Sequence, residues 1–323
     1  MAFFNRSISF NLSVSDEAGN VANVEFSGNI HIRFNVIKNQ KDSSNTATVD
    51  VYNIASEHRA FLNTNAIGRS SATIFAGYGN DKQLLFAGDI VEIKDQLSGA
   101  DLVTSFELAT GFNAKQTGEV SMTYDKGTSL KSMISDLSKL VKGLESIDLS
   151  SMKDNDIYIR GISVSANPLD FIMRELKSKG YKPVLTDGKI KVKKGNEPTG
   201  RVLVIDGSSG MIDIPEQVTI TEDENEVVED AVNEESAESQ GLAKPTKAKI
   251  GYRVKTLLNG GIAIGDAIIL SSKRLGIKNL RLYVDNITHE GSNFDTEYYT
   301  TVEAFLLDTS GLLSDQQIAE GSG

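Results

Sequence analysis

Ile30-His31-Ile32-Arg33-Phe34-Asn35-Val36 and, a little further on, Thr46-Ala47-Thr48-Val49-Asp50-Val51-Tyr52 alternate apolar with polar residues at almost every step. A period of two puts one set of side chains on each face, so both stretches read as half-buried strands. The pattern extends outward. Ser71 to Tyr78 and Leu84 to Lys94 read as two more strands separated by the turn-forming Gly79-Asn80-Asp81, and Asp101 to Thr110 adds another. A short helix through His58, Phe61 and Leu62 interrupts them, with Ser56 placed to cap it. Many short antiparallel strands and one small helix predict a barrel or sandwich over residues 1–115.

The period changes after residue 116. Leu130, Met133, Ile134, Leu137, Leu140 and Val141 fall at helical spacing, so Thr128 to Gly143 reads as an amphipathic helix stopped by Gly143. In the next helix Asn167 is the N-cap and Pro168 the first residue. Leu169, Ile172, Met173 and Leu176 form its buried face, and Gly180 is the stop. Lys182 to Thr186 and Lys189 to Val192 flank Asp187-Gly188, a hairpin signal, and the lysines of Lys189 to Lys194 read as the solvent side of an edge strand. Residues 116–200 are therefore predicted to form a small α+β module. Beyond residue 201 the strand pattern returns, through Lys249 to Leu258, Asp266 to Leu270, Leu280 to His289 and Tyr298 to Leu307. The expected fold class is thus mainly β, with two similar β-barrel domains, 1–115 and 201–323, flanking an α+β middle domain at 116–200.

Charge is concentrated in one place. The 323 residues carry a formal charge of −11. Nine acids and no base lie between Glu222 and Glu238 (Glu222, Asp223, Glu224, Glu226, Glu229, Asp230, Glu234, Glu235 and Glu238), which leaves the rest of the chain at −2. Self-repulsion and the scarcity of large apolar residues make 221–245 read as a flexible acidic insertion. A nearly neutral body without a basic stripe argues against specific nucleic-acid binding. No apolar run is long enough to span a membrane, and the N-terminus reads as lacking a signal peptide, so no membrane anchor is expected.

The search for chemistry returns little. Cysteine is absent, which removes disulfides and thiolate sites, and His31, His58 and His289 have no metal-ligand spacing. Gly77-Tyr78-Gly79 lacks the third glycine of a dinucleotide fingerprint, and Gly207-Ser208-Ser209-Gly210 reads as a loop rather than a nucleophile elbow. No catalytic residue, cofactor or metal is assigned, and the chain is not read as an enzyme. One internal echo stands out. Phe86-Ala87-Gly88-Asp89-Ile90-Val91-Glu92-Ile93 and Ala263-Ile264-Gly265-Asp266-Ala267-Ile268-Ile269-Leu270 share a Gly-Asp step leading into branched residues. Gly88, Asp89, Gly265 and Asp266 are therefore candidates for equivalent turns in two related barrels.

The order of motifs resembles the trimeric baseplate hub proteins of contractile phage tails and related tail proteins. The resemblance rests on Asn45 to Ile54, Ala76-Gly77-Tyr78, Phe86 to Ile90, Ile157 to Gly161 with the Asn167-Pro168 helix, the Asp187-Gly188 hairpin, Gly207 to Glu216, and Val254 to Asn259 with Gly265-Asp266 and Val284 to Gly291. It spans nearly the whole chain, and the acidic segment at Glu222 departs from it. It implies a structural homotrimer in which two similar barrels per subunit make a pseudo-sixfold ring. That ring would join a threefold central spike to a sixfold tail tube and let DNA pass through its channel. The implied partners are the spike, a tube or tube-initiator protein, and wedge or sheath components, in a virion tail baseplate assembled in the host cytoplasm. A hub of a non-contractile tail or of a phage-derived injection system fits the same residues. A carbohydrate-binding β module and an enzyme with a composite site are the readings from other classes.

Overall fold

The computed structural model describes residues 5–15, 20–40, 45–68, 70–116, 118–153, 156–194, 201–221 and 248–306. The acidic residues Glu222 to Glu238 lie outside them, in the connection between the paired residues Thr221 and Ala248.

The chain is mainly β. Its first part holds β1 (Arg6–Ser15), β2 (Val21–Ser27), β3 (Ile32–Asn39), β4 (Thr46–Tyr52), α1 (Ser56–Asn65), β5 (Ser70–Tyr78), β6 (Asp81–Ser98) and β7 (Asp101–Ala109). Next come α2 (Phe112–Lys115), β8 (Val120–Tyr124), α3 (Leu130–Ser138), β9 (Ser146–Asp148), β10 (Ile162–Ala166), α4 (Pro168–Ser178), β11 (Tyr181–Thr186) and β12 (Lys189–Lys194). The last part has β13 (Val202–Ile205), β14 (Glu216–Thr221), β15 (Ala248–Leu257), β16 (Ala267–Ser272), β17 (Ile277–Ser292) and β18 (Tyr298–Leu306).

Local chemistry explains most boundaries. The Asn167 side chain accepts from the N–H groups of Leu169 (2.9 Å) and Asp170 (3.3 Å), and Pro168 opens α4 where its missing N–H costs nothing. Ser129 caps α3, which ends at Ser138, short of the expected Gly143. Ser56 is the first residue of α1 rather than its cap, and Ala55 at the N-cap offers no side-chain acceptor. Asp187 and Gly188 both have positive φ, 50° and 74°, the geometry of a tight two-residue hairpin.

Long-range pairing is what the pattern alone does not reveal. One sheet runs β14-β15-β18-β17-β3-β4-β7-β6-β5-β1-β2, with β13 and β16 branching from β17. The first and last parts of the chain meet where β17 pairs antiparallel with β3, from Asn286↔Asn39 to Ser292↔Arg33. Strands far apart in sequence thus share a seam.

Three hydrophobic cores lie around it. The first is built from β1 to β7 and includes Phe10, Phe34, Phe86 and Phe106, joined by Leu258 and Tyr298 from the last part. The second surrounds α3 and α4. The third holds Val254, Ile268, Leu282, Ile287 and Val302, with Val184 contributed by β11. The Tyr298 hydroxyl ties the first and last parts together: it takes the Gly77 N–H at 2.9 Å and lies 2.6 Å from the Gly77 carbonyl oxygen. Burial pushes this phenol up to about 12.

Candidate functional site: a polar sheet face and the hairpin behind it

On the side of the seam turned away from the cores, cross-strand pairs form rows. One row runs Leu257, Tyr299, Glu290, Asn35, Thr48, Glu107, Glu92, and a parallel one runs Lys255, Thr301, Thr288, Ile37, Thr46. A third carries Arg33, Asp50, Ser105 and Lys94, and a fourth Glu216, Arg253, Glu303 and Asn286. Threonine, serine and asparagine lie between some of the charges, while Glu92 and Glu107, Arg33 and Asp50, and Glu216, Arg253 and Glu303 are direct cross-strand neighbours. The rows hold six carboxylates and four cations, so the face is polar with an acidic excess.

Three of those cations are engaged within the face. The Lys94 Nζ lies 2.9 Å from Glu92 and 2.8 Å from Glu107, which raises its affinity for the proton. Arg253 donates to Glu303 at 2.7 Å and faces Glu216 at 3.6 Å. Lys255 sits 3.6 Å over the Tyr299 ring, and the bond to Glu290 pushes the Tyr299 phenol up to about 12. Surface pairs of this kind add little stability. Their consequence here is electrostatic: Lys94 and Arg253 are matched by carboxylates, and Lys255 rests on an aromatic ring.

The opposite side of the seam carries buried polar groups. His289, fully buried, lies on the same side as Val36. Its Nδ1 is 2.9 Å from the Thr300 hydroxyl, while its Nε2 has no protein partner. Burial first, and then nearby Lys38, push the imidazole down to about 3. Lys38, 5% exposed, reaches across to Asp187 at 2.9 Å. The β11–β12 hairpin therefore lies behind the seam and leaves the polar face uncovered.

That hairpin touches both Gly-Asp sites. Near its turn, Asp187 Oδ1 accepts the Ala87 N–H at 3.0 Å, and Asn45 donates to the Leu185 carbonyl at 3.3 Å. Near its far end, Lys193 donates to the Ile264 carbonyl at 3.3 Å. Ala87 and Ile264 are the residues immediately before Gly88 and Gly265, so the two echoes are the two docking points of one hairpin.

Gly88-Asp89 is not a turn. It lies inside β6 where the strand changes partner, Gly88 pairing with Ala72 of β5 and Asp89 with Ala109 of β7. A Cβ on Gly88 would stand 2.8 Å from the Phe86 ring and 2.9 Å from the Ala109 carbonyl oxygen, so glycine permits the corner. Asp89 accepts from the backbone N–H and the side chain of Asn113, both at 2.9 Å, and burial raises its pKa against those bonds. Gly265-Asp266 is a turn before β16. Gly265 has φ +79°, and a Cβ there would fall 1.5 Å from Lys193 Nζ. Asp266 accepts the Ala263 N–H at 2.9 Å. The reading of β12 as a solvated edge needs a matching correction. It is the central strand between β11 and β9, and Lys193 is buried, its pKa pushed down to about 8 by burial.

The described residues contain no group of three or more histidines and carboxylates able to hold a metal. Gly207 to Gly210 forms a turn around Asp206, whose carboxylate takes the Ser208 hydroxyl at 2.6 Å and the N–H groups of Ser208 and Ser209 at 2.8 and 2.9 Å, and is held below its usual range by the hydroxyl first and then the N–H groups. No described helix is long and apolar enough to cross a membrane.

No family model matches the chain, and no curated protein matches it in sequence. Solved structures do. The tail protein from Neisseria meningitidis MC58 matches with a TM-score of 0.56 at 10% identity, over 92% of this chain and 96% of that one. The 43 kDa tail protein of prophage MuSo2 from Shewanella oneidensis gives 0.55 at 8% identity, over 93% and 98%. An E. coli component of the type VI secretion system, described as similar to the T4 bacteriophage tail proteins gp27 and gp5, gives 0.54 at 10% identity, over 86% and 74%. At these identities the likeness shows a shared fold.

Proposed function

We propose that the chain is a structural protein of a phage-type tail, a baseplate hub whose copies close into a trimeric ring. Two β-barrel units per subunit, one at each end of the chain, surround a channel and join a threefold spike to a sixfold tube. The observation that carries this reading is the seam between β3 and β17. It fuses the first and last parts of the chain into one sheet with a polar, acid-rich face. The fold shared with tail proteins supports it.

In this reading the polar face lines the channel. DNA carries a dense row of phosphates, and a wall of free lysines and arginines would hold it by counterion release. A wall whose carboxylates outnumber its cations, with Lys94 and Arg253 already paired to them, exerts no such grip. The middle module, behind the seam, stiffens the wall without entering the lumen. Spike, tube and wedge or sheath components are the partners, and catalysis is not part of the role.

A lysine row tests the electrostatic half of the proposal. Thr48→Lys, Thr288→Lys and Asn35→Lys together add three cations per subunit to the face, which turns its acidic excess of six carboxylates over four cations into a basic one. Particles carrying the triple variant should assemble normally and release DNA more slowly, with the defect relieved by added salt. Unchanged release from particles that contain the variant would refute the channel assignment.

A further inference from the structure

At one end of the polar face three rings meet. His31, just before β3, stacks on Tyr52 at 3.9 Å with an interplanar angle of 16°, and Phe294 meets the His31 ring edge-on at 5.2 Å. Phe294 is 64% exposed, the position of a residue at the tip of a loose loop. Its loop is anything but loose. The Phe294 and Asp295 N–H groups bond the Ser292 hydroxyl at 3.1 and 3.0 Å, and Asn293 takes the Ile32 N–H at 2.9 Å and donates to the Ile30 carbonyl at 2.7 Å. Arg6 donates to the carbonyls of Ser292 and Thr296, which fixes the loop from below. A large apolar ring is thus held rigidly in water, with little ordering entropy left to lose on contact.

The charges around the rings share one sign. Asp295 lies 3.4 Å from His31 Nε2 and is 42% exposed. After burial, Asp50, Asp295 and Asp101 are what raise the Tyr52 pKa, and Arg33 alone opposes them. Three carboxylates against one guanidinium leave a negative surround, and the other nearby guanidinium, Arg6, is spent on the loop carbonyls.

We propose that this corner is a docking site for an arginine side chain presented by a partner protein. Aromatic faces attract a cation, and a planar guanidinium can stack on Phe294 while its N–H fork reaches a carboxylate such as Asp295. Lysine, a point charge without a plane, fits the same site less well. The site lies beside the β3–β17 seam but needs neither a ring nor a channel, so it stands whether or not the assembly proposed above is correct.

The chain has only three histidines, so the ring protons of His31, His58 and His289 give three separable NMR signals. The probe is Nα-acetyl-arginine methylamide, titrated at low salt into the full-length protein, with the uncharged citrulline counterpart as control. The expected result is a saturable movement of the His31 signal at roughly millimolar probe, with His58 and His289 still. Citrulline should give no movement, Phe294→Ala should lose most of it, and Asp295→Asn should weaken binding several-fold. The unmoved His289 signal, from the buried seam, reports that each variant is folded. A still His31 signal, or equal movement with citrulline or in Phe294→Ala, overturns the proposal.

Discussion

The corner at Gly88-Asp89 and the turn at Gly265-Asp266 share a dipeptide and hold the same hairpin by opposite means. At the first, the hairpin brings a carboxylate: Asp187 takes a backbone N–H and pairs with Lys38. At the second it brings an ammonium: Lys193 donates a hydrogen bond to the Ile264 carbonyl and fills the space that the missing Gly265 side chain leaves open. One grip is a compensated ion pair, and the other buries a lysine whose charge the nearby Asp266 offsets only in part. A repeated motif in sequence has thus become a repeated docking point, with chemistry that differs at each copy.

The sharpest way to break this comparison is at Asp187. Asp187→Ala strands Lys38, 7% exposed at its side chain, and removes the acceptor for Ala87. Losing one partner of a buried pair costs about 4 kcal/mol, measured by urea denaturation. Asp187→Asn keeps the neutral hydrogen bond and the tolerated positive φ, so it should cost less.

The second grip should respond to pH. Lys193 falls to about 8 in the folded chain against an ordinary 10.5. The unfolded chain therefore binds more protons between those values, and stability should rise with pH through that window. The gain is at most about 3 kcal/mol. Lys193→Met should be more stable than the parent at pH 7 and should lose that slope. A slope that survives in the variant would assign it to another group.

The glycines give smaller effects and a finer test. Gly265→Ala forces a side chain to φ +79° and displaces Lys193 Nζ, at a cost of about 2 to 3 kcal/mol. In a Lys193→Ala background only the backbone strain remains, about 1 kcal/mol. Gly88→Ala has no positive φ to fight and meets Phe86 and the Ala109 carbonyl instead, so about 2 kcal/mol is expected with no dependence on residue 193. Denaturation of the single and double variants separates the two cases.

His289 supplies a pH test from the acid side. Its folded pKa, about 3, lies below the ordinary 6.5, so the unfolded chain binds the proton first as pH falls. Stability should be full above pH 6.5 and decline below it, by up to about 5 kcal/mol from this group near pH 3. His289→Gln should flatten that part of the profile.

These elements also mark how far the sequence could be read. Alternation at Ile32–Val36 and Thr46–Tyr52, the Asn167-Pro168 cap and the Asp187-Gly188 turn are local signals, and each fixes an element by short-range physics. The β3–β17 seam is different. It joins residues about 250 positions apart, and nothing in the period of either strand names its partner. The Lys189 to Lys194 run failed for a related reason: alternation predicts two faces but not which neighbour covers one of them, and Lys193 is covered by the turn at Gly265. The polar face was legible only as near neutrality, since its pairing of bases with acids depends on register. The aromatic corner had no sequence signal, because His31, Tyr52 and Phe294 come from three separate segments.

The central claim is that the seam wall faces a channel, and cryo-EM of the assembled particle tests it most directly. The account predicts three copies around the axis, with Thr48, Glu107, Thr288 and Glu290 turned to the lumen and the β11–β12 hairpin behind them. A twofold dimer, a lumen lined by lysines and arginines, or a seam whose polar face points outward would contradict it.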